Sequence, residues 1–89
     1  MCFPGRMVPR RIVYLIQSMT FAEQHYVGLT SNIASRLSAH NAGESPHTSK
    51  YRPWRLLVAL EFDTEARAAG FERYLKSGSG RAFMKRHFL

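Results

Sequence analysis

Three features of the sequence bring together residue types that could do chemistry. Tyr14 and Tyr26 lie in two neighbouring segments of strand-forming residues, and their phenols would be close if these segments pair as a hairpin. Arg36 and His40 are four positions apart, so they share one face of a helix. Glu72 falls on the flank of a second amphipathic helix. Such a set could bind a phosphate group and move a proton.

Each of these residues, taken alone, has a simpler structural interpretation. The tyrosines would be core aromatics with satisfied hydroxyls. Arg36 would be a solvated helix residue, and His40 is explained equally well by a structural role. Glu72 would form an ion pair with Arg73 or Lys76. The functional interpretation therefore rests on the occurrence of all of them together.

The elements that must position these residues follow from hydrophobic patterning and breakers. Strands are predicted at residues 12–17, 25–30 and 54–62, the third being the longest and most buried. A first helix begins after the N-cap candidates of residues 30–32 and ends near residues 41–42, with Gly43 as its left-handed terminator. A second helix runs from a cap at Asp63 or Thr64 to about Lys76, and Ser79 caps a final helix over 80–88.

The predicted fold class is a small α/β domain of order β-β-α-β-α-α. Its core is a three-stranded, mainly antiparallel sheet flanked by helices. Residues 1–11 are interpreted as a flexible basic arm, because Pro4, Gly5 and Pro9 break regular structure there. Residues 12–89 are interpreted as one domain.

Composition narrows the class of partner. The chain has 89 residues, with 13 Lys and Arg against 6 Asp and Glu, a net charge of +7 and a pI of about 10.3. This balance favours a polyanion partner. The single cysteine, Cys2, excludes an intrachain disulfide and a cysteine zinc site. No apolar run could span a membrane or serve as a signal peptide, so a soluble cytoplasmic domain is expected.

The scattered acids limit any metal chemistry. Because the carboxylates do not cluster along the sequence, a metal site would rest on one of them with phosphate and water as further ligands, a pattern that Mg²⁺ tolerates. The cations of the second half are interleaved with aromatic residues, as expected of a nucleic-acid surface. The candidates to hold a strand are Lys50, Arg52, Arg55, Lys76, Arg81, Lys85 and Arg86.

The motifs, in their order, resemble a known family. Val13-Tyr14 followed by Tyr26-Val27-Gly28 resembles the paired signature of the GIY-YIG nuclease superfamily. The resemblance covers roughly residues 11–88 and is strongest to small stand-alone bacterial members, related to the N-terminal nuclease domain of the excision-repair subunit UvrC. It implies that Arg36 is the catalytic arginine, that His40 is the histidine of some branches, and that Glu72 binds the metal.

The resemblance further implies a one-metal DNA endonuclease that uses Mg²⁺ or Mn²⁺. Tyr26 is the candidate to accept the proton of water, and Tyr14 would orient Tyr26 or the water. His40 would relay the proton or bind phosphate. Cleavage would be structure-specific or weakly specific, linked to DNA repair or processing of branched or damaged DNA, with a protein partner supplying specificity. Gly28 would leave room for a backbone or a phosphate to approach.

Two departures keep alternatives open. The first motif lacks its leading glycine, and Leu29 follows Gly28 where excision-repair members carry a lysine. A nucleic-acid-binding module of the same fold that does not cleave is the main alternative. A protein-interaction domain with an acidic partner is a weaker one.

Overall fold

The computed structural model describes residues 10–89. Most of the predicted basic arm lies outside the described residues. Its last two residues contact the third strand: Arg10 donates to Glu61 Oε1 at 3.0 Å, and the Arg11 carbonyl accepts from the Phe62 amide at 2.8 Å.

Three antiparallel strands form one sheet. They are β1 (Ile12–Ser18), β2 (His25–Thr30) and β3 (Trp54–Glu61), and their order across the sheet is β2-β1-β3. The element order β-β-α-β-α-α and the antiparallel pairing confirm the predicted fold class.

The prediction that the third strand is the most buried was wrong. Strand β1 has five consecutive buried residues, whereas of the eight residues of β3 only Trp54 is buried. The reason is strand order, since β1 is paired on both sides and β3 lies at an edge. A run of apolar residues does not indicate which strand occupies the centre.

The first two helices begin and end close to where sequence signals put them. Helix α1 (Ile33–Asn41) begins after Asn32, whose Oδ1 accepts from the Ser35 amide at 3.1 Å. It ends just before Gly43, which has the positive φ of 80° that a helix terminator needs. Helix α2 (Glu65–Leu75) is capped by Thr64.

The third helix starts earlier than predicted. Helix α3 spans Gly78–His87 and is capped by Ser77, whose Oγ accepts from the Gly80 amide at 3.2 Å. The predicted cap, Ser79, lies inside the helix. Either serine fits the sequence pattern, and the actual choice follows from the tight corner between α2 and α3.

Alternating side chains of β1 serve two separate cores. Val13 and Leu15 face one sheet side and pack with residues of α2 and α3. Tyr14 and Ile16 face the other side, where they pack with Trp54 and residues of α1. This alternation follows from the period of two along a strand. It places Tyr14 beside the helix that carries Arg36 and His40.

Candidate active site

Tyr14 is positioned by the strand pairing. It lies opposite Gly28 in the β1–β2 register, and its side chain is 2% exposed. A Cβ on Gly28 would collide with the Tyr14 hydroxyl and ring. The room over this glycine, expected from the sequence to admit a backbone or a phosphate, is filled by the phenol of Tyr14.

Three rings converge at this point. The ring centroids of Tyr14 and Tyr26 are 6.2 Å apart, those of Tyr14 and His40 5.9 Å, and those of Tyr26 and His40 5.1 Å. In all three pairs, the ring planes are tilted relative to one another, an arrangement that aromatic pairs favour over face-to-face stacking. The structure thus brings the two predicted phenols and the predicted histidine into one aromatic cluster.

His40 is held at both ring nitrogens. Nε2 lies 2.8 Å from the Tyr14 hydroxyl, and Nδ1 lies 2.8 Å from Thr48 Oγ1. Burial, and then the charge of Arg36, lower the pKa of His40, so the ring is neutral at pH 7. A neutral ring has one N–H, and either tautomer satisfies both bonds because each hydroxyl can donate or accept.

Tyr14 is held in its protonated form. Burial raises its pKa to about 12, with the neighbouring Tyr26 and Glu72 adding to the shift and Arg36 opposing it. A phenol with such a pKa does not act as a base at neutral pH. The opposite effects of Arg36 and Glu72 on this one group show that both predicted side chains lie near the cluster.

Glu72 lies beside a cation that sequence reasoning assigned to DNA binding. Its Oε2 accepts from Lys76 Nζ at 2.9 Å, one turn further along α2. The same ammonium is 5.8 Å from the centroid of the Tyr26 ring. The Glu72 side chain is 22% exposed, so it is partly accessible from the solvent.

The residues present fit a metal held by one carboxylate. Within residues 10–89 there is no group of three or more His, Cys, Asp or Glu side chains that could hold a metal ion. An ion at Glu72 would take its remaining ligands from water and from the phosphate, as Mg²⁺ readily does. It would also have to displace the Lys76 ammonium from the carboxylate.

The predicted strand-binding cations fall into separate groups. One set lies together on the face of the sheet opposite α1 and consists of Arg55, Lys76, Arg81 and Lys85. Lys50 lies in a short 3-10 turn, Ser49–Tyr51, with its ammonium 5.1 Å from the Tyr51 ring centroid. The Arg52 guanidinium packs over Gly43. Arg86 is exposed on α3, away from that set.

Sequence reasoning missed two residues that support the site. Thr48 is 1% exposed, holds His40 through its hydroxyl and accepts from Trp54 Nε1 through its carbonyl at 2.9 Å. Asn41 fixes the end of α1 to the start of β3 through two bonds to the Trp54 backbone, of 2.6 and 3.2 Å. Thr48 lies in an irregular loop, where no periodicity connects it to His40.

A comparison with family models gives the class of protein. The model of the GIY-YIG catalytic domain matches residues 10–87, nearly the whole chain. The chain therefore belongs to the GIY-YIG family, whose domains are typically metal-dependent nucleases. A search of the curated proteins found no significant match. Within residues 10–89, no helix has the length and apolar character to cross a bilayer.

Proposed function

We propose that this chain is a DNA endonuclease that hydrolyses phosphodiester bonds with one divalent metal ion, Mg²⁺ or Mn²⁺. The observation that carries the proposal is the cluster of Tyr14, Tyr26 and His40, with Arg36 and Glu72 near enough to perturb the Tyr14 pKa. Membership of a nuclease family supports the same conclusion.

Each residue has a role that its surroundings support. Arg36 is exposed and would donate to a non-bridging phosphate oxygen, a contact that strengthens as charge develops. Tyr26 is the phenol that would accept the proton of water, after its own hydroxyl proton has passed to solvent, because the Tyr14 pKa is raised to about 12. Tyr14 and His40 would orient that phenol and the water. Glu72 would hold the ion, which neutralises phosphate charge when bound.

The proposal extends to the DNA structure that is cleaved and to the cellular process. We propose cleavage that is structure-specific or weakly specific, on branched or damaged DNA, in repair or processing. The small contact surface of one sheet and three helices supports a protein partner that supplies specificity. A cytoplasmic location, in which DNA is accessible, belongs to the same proposal.

Cleavage of flapped, branched and nicked DNA in Mg²⁺ or Mn²⁺ tests this function. Arg36→Ala and Glu72→Ala should each reduce the rate by about 100-fold or more, as expected for loss of a transition-state contact. Two exposed residues of α2 provide matched controls, Arg73→Ala and Glu65→Ala, which should cleave as the wild type does. An inactive wild type, or equal rates in all four variants, would refute the proposal.

One specific observation keeps the non-cleaving nucleic-acid-binding module as a second candidate. Lys76 already occupies the carboxylate of Glu72, and Leu29 stands where excision-repair relatives have a lysine. A chain of this kind would bind DNA with a steep dependence on salt and show no turnover with either metal.

A further inference from the structure

A large groove lies on the face of the sheet opposite α1. It has a volume of about 980 Å³ and is lined by the ends of the three strands, the end of α2 and one side of α3. Its accessible apolar lining comes from Leu57, Phe88 and Leu89, and its floor from the core residues Val27, Leu75 and Met84, each at most 7% exposed. Of the tyrosine cluster, Tyr26 lines this groove, whereas Tyr14 and His40 do not.

The charged lining of the groove is mostly positive. Four cations line it, Arg55, Lys76, Arg81 and Lys85, against one acid, Glu23. Arg81 and Lys85 are one helical turn apart and exposed, so they project from the same side of α3. The Arg55 guanidinium is oriented by Gln17 Oε1, to which it donates at 2.7 and 3.1 Å. An anionic chain is the ligand that this charge favours.

The groove and the tyrosine cluster lie on opposite faces of the sheet and share two residues at the β2 edge. Tyr26 and Lys76 line the groove, and both also belong to the surroundings of the tyrosine cluster. A ligand that enters the groove at this end would therefore pass beside the side chain proposed to act as the base. These shared residues separate the groove from an unrelated surface patch.

We propose that this groove binds an unpaired DNA strand that extends from the active site. Duplex DNA presents phosphates and hides its base faces, so the apolar lining would be unused. An unpaired strand offers both, with bases on the apolar side chains and phosphates on the cations. The inference rests on the proposed function and refines it, because it names DNA with a single-stranded arm as the preferred substrate.

The test measures binding without cleavage. A fluorescent 12-nucleotide single strand is titrated with the protein in EDTA, and a hairpin duplex of equal charge serves as competitor. Arg81→Gln, in the groove, should weaken binding by about three- to tenfold and reduce the magnitude of the salt slope by about 0.7, the value for one phosphate contact on a single strand. The matched variant Arg73→Gln removes the same charge from an exposed residue outside the groove and should change affinity less than twofold.

A second variant tests the apolar side of the groove. Leu89 lines the groove and is 52% exposed, so Leu89→Ser leaves the buried core intact. It should weaken binding of the single strand and leave that of the duplex unchanged, since only unpaired bases reach apolar side chains.

The outcomes separate this inference from the proposed function. Equal effects of Arg81→Gln and Arg73→Gln, or a duplex that competes as well as the single strand, would overturn the groove assignment even if the wild type cleaves DNA. An acidic peptide with apolar residues that displaces the strand at lower concentration would assign the groove to a protein instead. Selective strand binding by a chain that does not cleave would support the groove while the nuclease proposal fails.

Discussion

At the scale of single residues, the two phenols of the cluster, Tyr14 and Tyr26, differ in burial and in their neighbours. Tyr14 is enclosed, hydrogen-bonded to His40 and protonated well above neutral pH. Tyr26 is only half-buried and lies near the Lys76 ammonium. In the proposed mechanism, these surroundings suit Tyr14 to an orienting role and leave Tyr26 to face the substrate.

The same cluster makes stability depend on pH. The pKa of His40 is lowered below 6.5 in the folded state, so the unfolded chain binds more protons near that pH. Stability is then fully present above about pH 6.5 and is lost as pH falls through the folded pKa. Urea unfolding between pH 7.5 and 5 should show a smaller decrease for His40→Asn than for the wild type.

A second histidine provides the control for this measurement. His47 is exposed in the loop after α1, and His47→Asn should retain the pH dependence of the wild type. If His40→Asn and the wild type lose stability in parallel, burial of the neutral ring does not control acid sensitivity.

Most of the proposed site residues could be predicted from sequence, and the reason is periodicity. Tyr14 and Tyr26 lie on regular strands, and Arg36 and His40 are one turn apart on a helix, so their faces follow from spacing. Thr48 could not be predicted, because its position depends on the path of an irregular loop. The ion pair between Glu72 and Lys76 was foreseen only as one of two alternatives.

At the scale of elements, the corner between α2 and α3 packs a glycine directly against backbone atoms. A Cβ on Gly80 would collide with the Tyr74 carbonyl and the Leu75 Cα, both parts of the backbone. A Cβ on Gly70, in the middle of α2, would meet nothing within 4 Å. A side chain can therefore be added at Gly70 without a collision, but not at Gly80.

This difference predicts stability changes of opposite sign. Gly80→Ala should lower the free energy of unfolding by about 1–3 kcal/mol, because backbone must move. Gly70→Ala should raise it by up to ~1 kcal/mol, because alanine is the better helix former and the space is open. Urea unfolding at pH 7 measures both. Equal values for the two variants would show that the corner relaxes around the added methyl.

The same corner explains why the start of α3 could not be predicted from the sequence. Ser77 and Ser79 are both plausible caps within a Ser-Gly-Ser-Gly run. The choice depends on Gly80 packing against the end of α2, a contact between two elements that local patterns do not contain. Strand order limited the prediction of β3 in the same way, since an edge strand and a central strand can have equally apolar sequences.

At the scale of the molecule, cations of the described residues lie on both faces of the sheet. One group of cations lines the groove. Lys50 lies on the 3-10 turn, with its ammonium near the ring of Tyr51. Positive charge on both sides of a thin sheet lets a bent or branched polyanion contact the protein around its edge.

This layout predicts a strong dependence of DNA affinity on salt. The logarithm of the binding constant for a branched substrate in EDTA should fall linearly with the logarithm of salt concentration, with a slope of about −3 to −5, as for roughly four neutralised phosphates. Thermal unfolding in the same buffers should be nearly constant, which excludes loss of fold. A slope near zero would contradict a polyanion partner.

Strand β1 has a consequence for any attempt to divide or simplify this protein. Neighbouring residues of β1 contribute to the two cores on opposite faces of the sheet. The helices on each face therefore pack against side chains that this one strand supplies. A fragment that retains Tyr14 and Tyr26 but lacks α2 and α3 would lose the partners of Val13 and Leu15 and so lose the strand that carries the phenol. The geometry of the tyrosine cluster and the cooperativity of the fold therefore have one origin, and the cluster should unfold in the same transition as α3 on the opposite side of the sheet.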